Sequence, residues 1–193
     1  YLIRERQYDK AIPHLEQAAR RVGGAQKVRL NFLLGQLYAS TGNKKAAYSA
    51  FAKAGSSSGA TYRTKFNARI KQSAMFEGTK IDGEVKSLKR MTRLSRNKDY
   101  LDQVYYAIGN IYLAQNDSTQ AIIAYERGAA KATRSGIEKG VLLLKLGDIY
   151  WDKERYNDAQ RCYGQAIGML DKERKDYEEL AARSKILDDL VPY

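Results

Sequence analysis

The side chains that carry out most enzyme chemistry are scarce in this chain, which has one histidine, His14, and one cysteine, Cys162, among 193 residues. His14 follows Pro13 without a linked serine or cysteine motif, and Cys162 lies beside the aromatic Tyr163. These two residues cannot supply the ligands of a zinc cluster, and the sequence has no phosphate-binding glycine loop or spaced carboxylate pair. The sequence therefore predicts no reaction, no cofactor and no metal site.

The net charge of +12 is concentrated in the first half of the chain. Residues 1–98 hold 21 basic and 6 acidic side chains, whereas residues 99–193 hold 13 basic and 16 acidic ones. Such a field attracts anionic partners and weakens as salt is added. The predicted basic patch consists of Arg63, Lys65, Arg69, Lys71, Lys86, Lys89, Arg90, Arg93 and Arg96. The patch fits either a solvated helical surface without a partner or a surface that contacts an acidic protein or anionic lipid. Nucleic acid is the least favoured partner.

A sequence repeat organises the chain. Gly35 is followed by a tyrosine, an alanine, an aromatic residue and a small residue at offsets of three, twelve, sixteen and nineteen, and the same offsets recur after Gly109 and Gly147. These positions are filled by Tyr38, Ala47, Phe51 and Ala54, by Tyr112, Ala121, Tyr125 and Gly128, and by Tyr150, Ala159, Tyr163 and Ala166. Residues recur at helical spacing around the glycine and again around the aromatic residue, which predicts two antiparallel helices per unit. The alanine at offset twelve, on the second helix, is expected to face the glycine on the first.

The repeats predict one all-α domain. We expect a partial repeat over residues 1–22, repeats over 27–55, 101–133 and 139–172, a degenerate repeat over 62–95 and a capping helix over 176–191. In the degenerate repeat, a helix near residues 64–76 is expected to bury Phe66, Ile70 and Ala74. A second helix near residues 81–94 is expected to bury Ile81, Val85, Leu88 and Met91.

The repeat resembles the tetratricopeptide repeat, whose unit has a small residue, a tyrosine, an alanine, an aromatic residue and another alanine in this order. The resemblance covers several positions in each of three copies. It implies an all-α, right-handed superhelical solenoid of helix–turn–helix units that serves as a general protein-binding scaffold. It does not by itself indicate a partner.

The second half shows a narrower resemblance. Residues 97–110, followed by 146–150 and 156–160, are similar to the tetratricopeptide lipoproteins of the SprE/PorW kind, which serve gliding motility and type IX secretion. This similarity implies a periplasm-facing lipoprotein at the outer membrane that bridges parts of a secretion or surface assembly. The lipid-bearing cysteine would then lie upstream of Tyr1. Apart from this resemblance, the sequence does not determine the compartment, and the cytoplasm is the alternative. No apolar run is long enough to span a bilayer.

The candidate partner-binding residues lie on the first helix of each unit, which lines the concave face of such a solenoid. The candidates are Arg29, Phe32, Gln36, Gln103, Tyr106, Asn110, Leu113, Leu144, Asp148 and Trp151. Eight of them lie one after, three before or six before a repeat glycine, and Leu113 and Trp151 lie one turn further on. An amide such as Asn110 can bond a peptide backbone, and aromatic side chains offer large contact area at low entropy cost. Tyr106 and Trp151 can instead pack against a neighbouring repeat, and both interpretations stay open.

The sequence thus predicts a non-enzymatic scaffold that binds a protein or peptide in the concave groove. The basic half would raise the encounter rate with an acidic partner. An alternative is an electrostatic tether to nucleic acid or to an anionic envelope surface, whose binding would collapse as salt rises. A third is self-association through the uncovered helix face of the truncated first unit.

Overall fold

The computed structural model describes residues 2–191, which form ten α-helices and one short 3-10 helix and contain no strand. The helices α1 to α10 are Tyr8–Arg21, Gly24–Ser40, Lys44–Ser56, Tyr62–Ala74, Ile81–Met91, Leu101–Ala114, Ser118–Lys131, Ile137–Asp152, Tyr156–Ile167 and Tyr177–Leu190. The 3-10 helix, Ser95–Tyr100, precedes α6. The predicted all-α repeat fold is confirmed, and the right-handed sense of the superhelix stays a prediction.

The chain divides into two compact units, unit 1 up to Ile81 and unit 2 from Asp82 onwards. In unit 1, α2 and α3 form a hairpin that packs against α1 and α4. In unit 2, α6 pairs with α7, α8 pairs with α9, and α10 packs on α9. The boundary falls inside the degenerate repeat predicted over residues 62–95, so its two helices belong to different units.

Each hairpin closes around a glycine of its first helix. A Cβ atom on Gly35 would lie 2.6 Å from Cε1 of Phe51, and one on Gly109 would lie 2.3 Å from Cε1 of Tyr125. The ring at offset sixteen therefore lies against the bare Cα of the glycine, where any side chain would collide with it. The expected pairing of the glycine with the alanine at offset twelve stays a prediction. The ring reaches across the helix interface, while Ala47 is fully buried beside it.

The turns inside the hairpins share one backbone feature. The residue at offset seven from each glycine adopts the left-handed conformation, with φ of 80° at Gly42, 59° at Asn116 and 58° at Glu154. In the first two turns a side chain then caps the second helix: Asn43 and Asp117 each accept a hydrogen bond from a backbone amide, at 3.0 and 2.9 Å. The third turn has no side-chain cap.

The helices of the degenerate repeat differ in detail from the prediction. In α4, Phe66 is buried and Ile70 is half-buried, but Ala74 is exposed because the helix ends there. Helix α5 ends at Met91, three residues earlier than expected. The amide of Asn97 donates a 2.8 Å hydrogen bond to the carbonyl of Met91, and this contact ends the helix before the 3-10 turn. Of the predicted α5 face, Val85 and Leu88 are buried and Ile81 and Met91 are half-buried.

Helix α10 is the predicted terminal helix. Its buried residues are Leu180, Ser184 and Leu187, which lie at helical spacing on one face. Leu180 and Leu187 join the buried core of unit 2, which includes Leu146 and Tyr163. The helix thus covers the apolar side of α9 that would otherwise face water.

Candidate functional site

The first candidate groove lies in unit 1 between α2 and α4. Arg29, Phe32 and Gln36, all three residues selected there by the glycine spacing, line one cleft with a volume of about 400 Å³. The remaining walls are Ala25, Val28, Leu33, Gly59, Thr61, Thr64 and Asn67. Phe32 packs edge-on against Phe51 with ring centroids 5.3 Å apart, so the aromatic wall is held in place.

The side-chain amide of Gln36 is available to a ligand, because the neighbouring aromatic residue on α3 is Phe51, which has no hydroxyl to bond it. Its exposed side chain makes no hydrogen bond to any residue in 2–191. At the equivalent position of unit 2, Asn110 accepts a 2.7 Å bond from the hydroxyl of Tyr125, and Asp148 accepts one of 2.6 Å from Tyr163. Burial raises the pKa of both tyrosines, so their hydroxyls stay protonated and donate. The carbonyl oxygen of Asn110 is therefore engaged by the fold.

The second candidate groove lies in unit 2 between α6, α8 and the segment that leads into α10. Tyr106, Leu144 and Asp148 of the predicted set line this cleft, which also has a volume of about 400 Å³. Its other walls are Val141, Lys145, Arg174, Asp176, Glu179, Leu180 and Arg183. The rings of Tyr106 and Tyr125 lie 5.9 Å apart. Tyr106 therefore packs within its own hairpin and borders the cleft at the same time.

Four predicted residues do not line the second cleft: Gln103, Asn110, Leu113 and Trp151. Leu113 is half-buried and packs against the core of unit 2. The ring of Trp151 lies edge-on to Tyr156 at 5.6 Å, with the guanidinium of Arg183 at 5.4 Å from its centroid. These contacts give Trp151 a packing role within unit 2.

Sequence reasoning missed the charged residues that α10 brings to the second groove. Arg183 lies 3.6 Å from the carboxylate of Asp148 and donates a 3.3 Å hydrogen bond to the hydroxyl of Tyr163. The missed signal is that α10 repeats the pattern of a first helix, with Leu180 and the small Ser184 four residues apart, as Leu143 and Gly147 are. A helix with this pattern lines the groove as well as covering the core.

The predicted basic patch is divided between the two units. Arg63, Lys65, Arg69 and Lys71 lie on α4 of unit 1, and Lys86, Lys89, Arg90, Arg93 and Arg96 lie in unit 2. Four of the latter, Lys86, Lys89, Arg90 and Arg93, follow helical spacing and line a cleft of about 260 Å³ with Tyr112. Asp82 and Val85 complete its lining, and the four cations give this basic cleft an excess of positive charge that attracts anions.

The two residues considered for catalysis belong to different units. His14 is exposed, whereas Cys162 is fully buried and burial raises the pKa of its thiol to about 12. In residues 2–191 there is no group of three histidine, cysteine, aspartate or glutamate side chains that could hold a metal ion. No helix within those same residues is long and apolar enough to cross a membrane.

Comparisons with known proteins agree with this geometry. Two family models described as tetratricopeptide repeat match the chain, one over residues 1–60 and the other over 102–129 and 142–170. The crystal structure of MamA is 19% identical, with a TM-score of 0.57 over 94% of this chain and 95% of that one. The assembly chaperone of RpL4 (Acl4, residues 1–338) is 16% identical, with a TM-score of 0.53 over 98% and 88%. At these identities the likeness is one of fold.

A search of the curated proteins found no match. These comparisons lend no support to the narrower resemblance to gliding-motility and type IX secretion lipoproteins. The repeat positions, the closed glycine–ring hairpins and the matched segments agree on one family. The chain is a tetratricopeptide repeat protein.

Proposed function

We propose that this protein is a non-enzymatic scaffold that binds a segment of a protein partner in the groove of unit 1. The observation that carries the proposal is that Arg29, Phe32 and Gln36 border one open cleft. The cleft combines a fixed aromatic wall, a cation and an amide that the fold does not use. These are the groups that protein interfaces use most effectively for recognising a peptide.

The three side chains define the chemistry of the partner. An apolar side chain of the bound segment packs on Phe32, its backbone bonds the amide of Gln36, and an acidic group pairs with Arg29. The excess of basic residues in the first half of the chain raises the rate of encounter with such a segment. Binding of this kind weakens only partly with salt, because the apolar contact remains.

A displayed library of random peptides, selected on the full chain, tests the proposal without a known partner. We expect selected peptides to combine an apolar and an acidic residue, and to lose about tenfold or more in affinity for an Arg29→Glu variant. The matched control is Lys10→Glu, at an exposed position of α1, since it changes the net charge by the same amount as Arg29→Glu but lies outside the groove. Selected peptides that bind both variants equally would contradict a site in this groove.

A second candidate function is the electrostatic tether, which the basic cleft of α5 favours. Four cations around one cleft would bind an anionic surface through charge alone, with affinity falling steeply as salt rises. A Lys89→Glu variant should then lose binding to anionic vesicles or nucleic acid, while Arg29→Glu loses less. Equal, salt-insensitive binding by the two variants would exclude the tether.

The cellular setting in this proposal rests on the residues of the second half alone. Their resemblance to envelope lipoproteins suggests a partner in a secretion or surface assembly. Binding of the full-length protein to isolated outer-membrane fractions, compared with cytoplasmic fractions, would test this setting. A preference for cytoplasmic proteins would remove it and leave the groove proposal intact.

A further inference from the structure

A second cleft of unit 1 lies on the other face of α2, away from Arg29, Phe32 and Gln36. It is bounded by α1 and α3, with α2 as its floor, and has a volume of about 610 Å³. That volume is within the range of ligand-binding clefts. Ala19, Leu34 and Ala50 contribute apolar surface, while the rim is polar and charged. The cleft does not depend on the groove in which the partner segment is proposed to bind.

One hydrogen bond crosses this junction. The hydroxyl of Tyr38 donates to the carboxylate of Glu16, and burial together with that carboxylate raises the pKa of Tyr38 to about 12. The equivalent junction of unit 2 has the same bond, from Tyr150 to Glu126 at 2.6 Å. In both cases the tyrosine is at offset three, and the glutamate follows the core residue of the preceding helix.

The two junctions differ at the position fourteen residues after the glycine. In unit 2 this position is Arg161 of α9, whose guanidinium lies 2.5 Å from Glu126 of α7 and 3.6 Å from Asp158, so that it bridges the two helices. In unit 1 the same position is Ser49, which lines the open cleft. The floor differs as well, because Asn31 of unit 1 stands where unit 2 has the fully buried Leu143. Smaller and more polar residues therefore open the cleft.

The rim of the cleft carries uncompensated positive charge. Arg20, Lys27 and Lys53 line it, and within residues 2–191 none of these side chains forms a salt bridge or hydrogen bond. Glu16 is the one acidic residue among the lining residues, and it already accepts the bond from Tyr38. Asn31 donates from Nδ2 to the carbonyl of Lys27 at 2.9 Å, which leaves its Oδ1 as an acceptor.

We propose that this cleft binds an acidic peptide segment. Carboxylates of the segment pair with the three rim cations, a backbone amide donates to Oδ1 of Asn31, and the methylene groups of acidic side chains rest on the alanine and leucine floor. A single inorganic anion would use the cations but leave most of the 610 Å³ unfilled. The cleft is thus a second docking site, separate from the groove between α2 and α4.

The test is fluorescence anisotropy of the full chain with a labelled peptide that alternates glutamate and alanine, beside a peptide with glutamine in place of glutamate. We expect binding of the glutamate peptide alone. A Ser49→Arg variant should reproduce the arginine–glutamate pair of unit 2 by pairing with Glu16, place its side chain in the cleft and weaken binding about tenfold or more. Ser58→Arg, in the exposed loop after α3, is the matched control because it adds the same charge outside the cleft.

The Ser49→Arg variant distinguishes binding in the cleft from nonspecific electrostatic binding to the basic surface. It adds a positive charge, which would strengthen nonspecific binding, and yet it should weaken binding in the cleft. If the acidic peptide binds Ser49→Arg as tightly as wild type, or does not bind wild type at all, the proposal is wrong. Lys53→Gln provides a second variant, which removes a charge without adding bulk. Its control is Lys65→Gln, at an exposed position of α4. Circular dichroism of each variant verifies the fold, and an unchanged affinity in Arg29→Glu shows independence from the other groove.

Discussion

The junction between α1 and the α2–α3 hairpin and the junction between α7 and the α8–α9 hairpin share one hydrogen bond but differ in what surrounds it. Tyr38 bonds Glu16 in unit 1, and Tyr150 bonds Glu126 in unit 2. The first pair borders an open cleft, whereas the glutamate of the second pair also binds Arg161. The comparison shows that the repeat fixes the contact between helices, and that the side chains around this contact differ from one junction to the other.

The second junction is also held by additional charges. Arg155 lies 2.5 Å from Asp158, and its guanidinium is 4.4 Å from the ring centroid of Tyr150. These side chains are partly exposed, so each pair contributes little to stability in water.

The largest effect is expected from exchanging the floor residues of the two junctions. Leu143→Asn places an amide in a fully buried site of unit 2 and should lower the free energy of unfolding by at least about 3 kcal/mol. Asn31→Leu replaces a buried amide that bonds only within its own helix, and should raise the stability by about 1 kcal/mol. Urea unfolding followed by circular dichroism measures both. Effects of the same sign would show that the two floors are not equivalent.

A second prediction tests whether the hairpins themselves are alike. Gly35→Ala and Gly109→Ala both force a Cβ against a buried ring, at 2.6 and 2.3 Å, and each should cost about 1–2 kcal/mol after the helix-propensity gain of alanine. Gly147→Ala is the control, because its Cβ would lie 3.1 Å from the ring of Tyr163. We expect that variant to be near neutral by the same urea assay. A marked loss in Gly147→Ala would mean that the ring cannot shift.

The third prediction concerns the hydrogen bond that both junctions share. Tyr38→Phe should lower stability by about 1 kcal/mol at neutral pH, because it removes a bond to a carboxylate. The pKa of Tyr38 is raised from 10.0 to about 12 in the folded state, so between these values the folded protein holds a proton that the unfolded chain has lost. The contribution of Tyr38 is therefore complete below pH 10 and declines as the pH rises towards 12.

The measurement is the difference in unfolding free energy between wild type and Tyr38→Phe across that pH range. The difference should be constant below pH 10 and shrink above it. Tyr150→Phe is the matched variant in unit 2, where burial and Glu126 also raise the pKa of the tyrosine. A difference that grows with pH would contradict the assigned bond.

Most of the fold could be predicted from the sequence, because the repeat positions have a direct physical role. The glycines, the rings at offset sixteen and the turn residues each correspond to one contact, so their spacing predicts the hairpins. The region around α4 and α5 has no such glycine, and apolar spacing alone placed Ala74 inside and extended α5 beyond Met91. The end of α5 depends on the side chain of Asn97, which no periodicity reveals.

The candidate site could be predicted less completely. The three positions in unit 1 meet in one cleft, because the spacing selects a face of α2. In unit 2 the same rule selected Asn110 and Trp151, whose side chains are engaged within the unit. For Asn110 the difference depends on a single hydroxyl, because that of Tyr125 reaches Asn110, whereas Phe51 has no hydroxyl to offer Gln36. Trp151 is engaged by Tyr156 and Arg183. Such pairings depend on side-chain geometry and not on sequence periodicity.

The smallest effect is expected from opening the closed junction. Arg161→Ser gives unit 2 the residue of unit 1 at offset fourteen and removes the partly exposed pairs with Glu126 and Asp158. The loss of stability should be below about 1 kcal/mol and should shrink as salt is added, because exposed ion pairs are screened. Fluorescence of Trp151, the sole tryptophan, follows unfolding in unit 2 at low and high salt. A loss well above 1 kcal/mol that does not respond to salt would show that Arg161 acts through packing, and that the open cleft of unit 1 requires more than the absence of an arginine.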